Sequence, residues 1–89
     1  MYYVYILQSL VEKDCIYAGY TTDLKQRLKT HNSGGSQHTA KYKPWKIIVY
    51  LEFENETCAK AFEKYLKSSS GRAFIKKRFL ANLTTSVEL

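Results

Sequence analysis

The N-terminal run 2–7 (YYVYIL) constrains the fold most, because its apolar residues occupy consecutive positions. Successive side chains of a β-strand point to opposite faces of the sheet, so a strand that is apolar throughout is covered on both faces. A second β-rich segment, 15–20, follows the charged connection 12–14 (EKD). This pattern predicts an antiparallel hairpin of strands 2–8 and 15–20, with the first strand central in the sheet.

The rest of the chain alternates helical and β-rich segments, and a residue suited to capping precedes each helical one. The predicted elements are a helix over 23–32 capped by Thr21 or Thr22, a strand over 45–53, a helix over about 56–67 capped by Asn55 and a helix over about 71–81 capped by Ser70. The order β-β-α-β-α-α predicts an α+β fold, with a three-stranded, mostly antiparallel sheet flanked by three helices.

The length of 89 residues suits a single core. We expect one domain over 1–81 and a frayed tail over 82–89, which is uncharged except for Glu88. Cys15 and Cys58 lack the spacing of a metal site or a disulfide framework, so they are interpreted as reduced, packed thiols. The apolar N-terminus has no basic flank and is too short to span a membrane. These features predict a cytoplasmic protein.

The charge balance indicates a polyanionic partner. Fourteen Lys and Arg against eight Asp and Glu give a formal charge of +6, and aromatic residues make up 15% of the chain. Nucleic acid is the leading candidate and an acidic lipid surface the second, although no helix combines a basic face with a broad apolar one. The residues predicted to follow the phosphate backbone are Lys41, Lys43, Arg72, Lys76, Lys77 and Arg78.

The first predicted helix carries an arginine and a histidine one turn apart. At 100° per residue, Arg27 and His31 fall on the face of Leu24 and Leu28, whereas the neighbouring lysines point away. A solvated basic stripe would not place its cation among leucines. The pair therefore indicates either a structural network, with the histidine satisfied in the core, or a functional site.

The second predicted helix carries Glu63 at the margin of its apolar face. This glutamate has two interpretations. It forms a surface i, i+4 ion pair with Lys67, or it holds a hard divalent cation that keeps several of its waters.

Tyr5 and Tyr17 lie on the two strands of the predicted hairpin. They share a sheet face only if the hairpin pairs residues whose numbers sum to an even value, and the sequence does not fix that register. Tyrosines in strands serve packing as well as chemistry.

Together these residues resemble the GIY-YIG nuclease superfamily over nearly the whole chain, from about Tyr2 to Leu80. Tyr3-Val4-Tyr5 stands for the Gly-Ile-Tyr element and Tyr17-Ala18-Gly19 for the Tyr-Ile-Gly element. Tyr3 and Ala18 depart from the pattern, but both functional tyrosines are kept. The ending 66–78 (LKSSSGRAFIKKR) is similar to that of small stand-alone members.

The resemblance implies an endonuclease that uses one divalent ion, Mg²⁺ or Mn²⁺, held by Glu63. One of Tyr5 and Tyr17 would be the general base, with Tyr5 favoured, and Arg27 and a nearby metal would lower the pKa of the phenol. Arg27 would brace the scissile phosphate, and His31 would assist proton movement or orient the water. DNA is favoured over RNA as substrate, with branched or damaged DNA in repair or recombination as the expected target.

The alternative is a nucleic-acid-binding module that keeps the fold without turnover. A module of that kind needs only basic and aromatic surface, whereas the retained tyrosines, arginine, histidine and glutamate favour the enzyme. A protein partner is compatible with either function.

Overall fold

In the computed structural model, which describes residues 1–80, three strands form one antiparallel sheet. The central strand β1 (Tyr2–Ser9) pairs with β2 (Ile16–Thr21) on one side and with β3 (Trp45–Phe53) on the other. The predicted α+β fold is confirmed, and β1 is the central strand, as predicted. Its sequence is apolar on both faces because both faces are covered.

Helices pack on the two faces of this sheet. They are α1 (Leu24–Asn32), α2 (Gln37–Ala40), α3 (Glu56–Leu66) and α4 (Ser69–Ile75), and a π-helical turn, Lys76–Leu80, follows α4. The short α2 is additional to the three helices predicted and lies in a segment whose polar, glycine-rich sequence gave no helical pattern. The last residue of the predicted helix over 71–81 and the predicted tail over 82–89 lie outside the described residues.

The sheet divides the interior into two clusters. Val4 and Ile6 point to one face, where they pack with Ala59 and Leu66 of α3 and Ile75 of α4. The opposite face carries Tyr5 and Leu7 of β1 with Trp45, and Leu24 and Leu28 of α1 pack against them. The sheet is thus the middle layer of three, and the tyrosine and histidine of interest lie on the α1 side.

Two helix starts differ from the prediction. Asp23 caps α1, because its extended backbone lets the carboxylate accept a hydrogen bond from the Gln26 N–H at 3.1 Å. Ser68 rather than Ser70 caps α4, through a 3.1 Å bond from the Gly71 N–H to its hydroxyl. The predicted single helix over 71–81 is wrong in its second half, where the chain continues as the π-helical turn.

The interpretation of Cys58 as a packed thiol is wrong. Cys58 is exposed and Cys15 is half-buried, and both are free thiols. The buried positions of α3 are Ala59 and Leu66, with Phe62 partly buried between them, so its inner face is rotated away from Cys58. Across residues 1–80, none of the helices has the length and apolar character needed to cross a membrane.

Candidate active site

The register of the hairpin places Tyr5 and Tyr17 on the same face of the sheet. Tyr5 is opposite Gly19, and Leu7 is opposite Tyr17, so the paired residue numbers have an even sum. The two tyrosine rings lie 6.5 Å apart, centroid to centroid. The phenols therefore reach a common space.

Gly19 makes the position of Tyr5 possible. A Cβ atom at this position would overlap the hydroxyl and the ring of Tyr5, which lies across β2 at this point. Only a residue without a side chain leaves this room. The glycine of the second sequence element thus serves the tyrosine of the first.

His31 of α1 is buried and contacts Tyr5 directly. Its Nε2 lies 3.0 Å from the Tyr5 hydroxyl, and its Nδ1 lies 2.7 Å from the hydroxyl oxygen of Thr39 on α2. The Thr39 hydroxyl donates to the Ser36 carbonyl at 3.4 Å, so its oxygen accepts the hydrogen bond from Nδ1–H. With the Thr39 hydroxyl donating to Ser36, neutral His31 carries its proton on Nδ1 and its Nε2 accepts the proton of Tyr5.

The surroundings favour the neutral forms of both groups. Burial lowers the pKa of His31, and the nearby Arg27 charge adds to this effect. Burial also raises the pKa of Tyr5 well above its ordinary value, Tyr17 and Glu63 act in the same direction, and Arg27 opposes them. Arg27 does lower the pKa of the Tyr5 phenol, as expected, but burial outweighs the cation, so the net pKa of Tyr5 is raised. Tyr5 instead has a neutral imidazole as its proton acceptor.

Beside edge strand β2 a cleft of about 490 Å³ lies between residues of α1 and α3. Tyr5, Tyr17 and Gly19 line it from the sheet, the exposed Arg27 from α1, and Glu63 from α3. The structure thus brings four of the five predicted site residues to one cleft. The fifth, His31, lies behind Tyr5 and reaches the cleft through the phenol.

Among residues 1–80, Glu63 is the one carboxylate that lines this cleft, and its side chain is 21% exposed. Its Oε2 lies 2.6 Å from Nζ of Lys67, so the ion pair considered from the sequence is formed, and it is formed inside the cleft. The Lys67 ammonium also lies 5.4 Å from the centroid of the Tyr17 ring. The ion-pair interpretation of Glu63 is therefore confirmed, and the metal interpretation stays a prediction.

Sequence reasoning missed several cleft residues. Lys60, Lys64 and Lys67 of α3 line the cleft, as does Tyr20, and none of the four is among the predicted site residues. Lys60 lies three residues before Glu63 and Lys67 four residues after it, and this spacing is the signal that could have placed these two beside Glu63. Thr39, which orients His31, carried no signal because α2 is only 4 residues long.

The predicted phosphate-tracking residues are divided in space. Arg72 and Lys76 line a second groove of about 710 Å³, which shares Tyr17 and Lys67 with the cleft. The remaining four are exposed and line neither cavity. They are Lys41, Lys43, Lys77 and Arg78.

The carboxylates available in the cleft determine how a divalent ion could bind there. Residues 1–80 contain no cluster of three or more His, Cys, Asp or Glu side chains that could hold a metal alone. Mg²⁺ commonly binds through one or two carboxylates, its own waters and phosphate oxygens of the substrate. Glu63 in an open cleft fits such a shared site and does not fit an all-protein cage.

Comparison with known proteins gives the class of the domain. A sequence profile described as the GIY-YIG catalytic domain matches residues 1–78, which identifies a nuclease-type fold. The chain belongs to the GIY-YIG family, as the resemblance of its motifs predicted.

Its relatives are UPF0213 proteins. UPF0213 protein YsiG of Lactococcus lactis subsp. lactis (strain IL1403) is 42% identical over 67 residues, which are 74% of this chain and 62% of that protein. A UPF0213 protein of Streptococcus pyogenes serotype M3 is 39% identical over 72 residues, 80% of this chain and 76% of its own. The match spans less than two thirds of the Lactococcus relatives, 62% of one and 66% of another.

A solved structure has the same fold. The solution NMR structure of a UPF0213 protein from Bacillus halodurans matches with a TM-score of 0.51 and 34% sequence identity. The match covers 97% of this chain and 88% of that one.

Proposed function

We propose that the protein is a divalent-metal-dependent endonuclease that hydrolyses phosphodiester bonds in DNA. The observation that carries this proposal is the 3.0 Å hydrogen bond from the Tyr5 hydroxyl to Nε2 of His31 at a cleft that also holds Arg27 and Glu63. A surface that only binds nucleic acid needs cations and rings. It does not need a phenol paired with a neutral imidazole.

The paired side chains supply a path for the proton of the attacking water. The Tyr5 oxygen faces the cleft, and His31 Nε2 accepts the phenol proton while the phenol oxygen takes one from water. The hydroxide oxygen forms the new bond to phosphorus, and the bond to the leaving oxygen breaks. Because Tyr5 has a raised pKa, its own anion is not populated beforehand, and transfer to His31 accompanies the attack.

Arg27 and Tyr17 act on the phosphate. The guanidinium of Arg27 is exposed in the cleft, where its planar donors match phosphate oxygens and oppose the charge that develops on them. The Tyr17 phenol is on the same side as Tyr5 and orients the water or the phosphate. Both roles need groups fixed before reaction, and strand β2 and helix α1 provide that support.

Glu63 is the residue that would hold the divalent ion, Mg²⁺ or Mn²⁺. A bound ion of this kind neutralises phosphoryl oxygens and stabilises the departing alkoxide. The carboxylate supplies the negative charge, while Lys60, Lys64 and Lys67 around it attract the polyanion.

The proposed substrate is DNA, with branched or damaged DNA in repair or recombination as the specific target. The formal charge of +6 and the lysines at the cleft support a polyanion of this class. We place the activity in the cytoplasm, where free thiols such as Cys15 and Cys58 stay reduced.

The test compares wild type with Glu63→Gln on labelled duplex, flap, fork and single-stranded DNA, with Mg²⁺ or Mn²⁺ and a chelator control. Glu63→Gln keeps the shape but removes the charge, so cleavage should fall to background while DNA binding is kept or becomes tighter. The matched control is Glu56→Gln, which removes a carboxylate that does not line the cleft and breaks another i, i+4 ion pair of α3, with Lys60 at 3.3 Å.

Full cleavage by Glu63→Gln would remove the metal role from this residue. Absence of cleavage by wild type on every substrate, with binding retained, would identify a nucleic-acid-binding module instead.

A further inference from the structure

Lys67 occupies the carboxylate that the proposed metal requires. Its Nζ is 2.6 Å from Oε2 of Glu63, in the cleft that holds Tyr5, Tyr17 and Arg27. We infer that Lys67 is a positioning residue that holds Glu63 in the absence of a divalent ion. When the ion binds the carboxylate, the Lys67 side chain moves and its ammonium pairs with the phosphate backbone of the substrate instead. This inference rests on the proposed function and concerns the regulation of its metal site.

The fold places Lys67 for both tasks. It is the C-cap residue of α3, one turn after Glu63, so its side chain can reach back to the glutamate. Its side chain is 49% exposed, and its ammonium is 5.4 Å from the centroid of the Tyr17 ring. Lys67 lines both the cleft and the second groove, which also contains Arg72 and Lys76. A small displacement of its side chain therefore carries the ammonium from one cavity to the other.

The pairing is specific to this lysine. Lys60 lines the same cleft but pairs with Glu56 at 3.3 Å. Lys64 also lines the cleft and has no carboxylate within 4.0 Å among residues 1–80. Lys67 is therefore the cation that fixes Glu63. Any of the three lysines could contribute positive charge to the cleft, but only Lys67 among residues 1–80 pairs with this glutamate.

Displacement by a divalent ion follows from charge. A doubly charged ion binds a carboxylate oxygen more strongly than an ammonium does, and the ammonium then needs another acceptor. In this cleft of lysines and one arginine, the next acceptors are the phosphate oxygens of bound DNA. A flexible point charge suits such a change of partner better than the planar fork of arginine does.

The first test measures metal binding without DNA or turnover. Mn²⁺ is titrated into isotope-labelled wild type, Lys67→Met and Lys64→Met, and the concentration that broadens the amide NMR signals of Glu63 and its neighbours is recorded. Lys67→Met removes the cation that competes for Glu63. It should therefore lower that Mn²⁺ concentration about two- to tenfold, and the energy of an i, i+4 ion pair sets the lower end of this range. Lys64→Met removes the same charge from the same cleft without breaking the pair, so its change should be clearly smaller.

An equal shift in both variants would overturn the inference, because Lys67 would then contribute only to the general field. Weaker Mn²⁺ binding by Lys67→Met would overturn it as well, and so would the absence of broadening near Glu63 in all three proteins at millimolar Mn²⁺.

The second test separates kcat from KM at saturating metal. Lys67→Met should bind Mn²⁺ more tightly yet raise the KM for DNA, and Lys67→Arg should restore KM in part because it keeps a phosphate-binding cation. An unchanged KM in Lys67→Met would remove the second half of the inference.

The two failures are distinguishable. If wild type cleaves nothing but Lys67→Met still gains Mn²⁺ affinity, the proposed nuclease function fails and the competition at Glu63 holds. If wild type cleaves DNA but Lys67→Met and Lys64→Met behave alike, the nuclease function holds and the inference about Lys67 fails.

Discussion

The hydroxyl of Tyr5 on the central strand and Nε2 of His31 on α1 are joined by a buried hydrogen bond of 3.0 Å. Thr39 engages the other imidazole nitrogen, Nδ1, at 2.7 Å, so Nε2 is the nitrogen that His31 has for Tyr5. The phenol is the member of the pair that lines the cleft. Under the proposed function, cleavage therefore depends on a proton acceptor, His31, that is buried and reaches the cleft through the phenol.

Tyr5→Phe should reduce cleavage by about 10²- to 10⁴-fold, the usual contribution of a positioned general base, while DNA affinity changes little. The loss of the hydroxyl also leaves His31 Nε2 without its partner, which should lower the free energy of unfolding by about 1–3 kcal/mol. Single-turnover cleavage and denaturant unfolding measure the two effects. Tyr50→Phe is the control, since Tyr50 is opposite Tyr5 in β3 but exposed; comparable losses in both variants would remove Tyr5 from the proton path.

The lowered pKa of His31 predicts a pH effect on stability. The unfolded chain protonates this residue near its ordinary pKa of 6.5, whereas the folded protein holds it neutral to lower pH. Between these two pKa values the unfolded state binds more protons, so the free energy of unfolding falls as the pH drops below about 6.5, by at most about 1.4 kcal/mol per pH unit for one group. Urea unfolding at several pH values between 7 and 5 should show a shallower dependence in His31→Gln than in wild type.

His38→Gln serves as the control for this measurement, because His38 is exposed on α2. It should keep the pH dependence of wild type. A dependence that disappears in His38→Gln and persists in His31→Gln would contradict the assignment.

Gly19→Ala should destabilise the protein by about 1–3 kcal/mol and reduce cleavage, since the added methyl group overlaps the Tyr5 hydroxyl and must displace the phenol or the strand. Thermal unfolding and cleavage rate are the measurements. Gly35→Ala, in the turn after α1, meets the Thr30 side chain at 3.1 Å and should have a smaller effect on stability and little effect on rate. A fully active, equally stable Gly19→Ala protein would show that Tyr5 has room to move.

Arg27→Ala should lower the cleavage rate by about 10²-fold or more, because one preorganised donor to the developing charge is removed. DNA affinity should fall much less, since the other cations of the cleft remain. Lys25→Ala is the control, as Lys25 is exposed on the same helix and lines neither cavity. Equal losses in the two variants would reduce Arg27 to a part of the general positive charge.

The fold was largely readable from local patterns. Consecutive apolar residues in β1 required cover on both faces, and the β-rich run of β3 was bounded by polar residues and Pro44. Caps were predicted less well, because Thr21, Thr22 and Asp23 are all good N-cap residues and the backbone conformation decides among them. The buried face of α3 was also misplaced, since its apolar residues span a wide arc and only packing shows that Ala59, and not Cys58, is central.

The geometry of the site was harder to predict, because it depends on contacts between different strands and helices. Whether Tyr5 and Tyr17 point the same way is set by the hairpin register, which the charged connection does not reveal. The rise in the pKa of Tyr5 comes from burial under α1, which no spacing in the sequence expresses. The contact of Lys67 with Glu63 was predictable as an i, i+4 pair, but its location within the cleft was not.

Helix α2, between α1 and β3, contacts the candidate site, although its polar sequence gives no indication of this. Thr39 binds Nδ1 of His31 through its side chain and the indole N–H of Trp45 through its carbonyl, at 2.8 Å. A substitution in this short helix therefore reaches the imidazole without altering any side chain that lines the cleft. Under the proposed function, a substitution in α2 would lower activity while every motif residue stays in place, so the motifs alone would not identify an active member of the family.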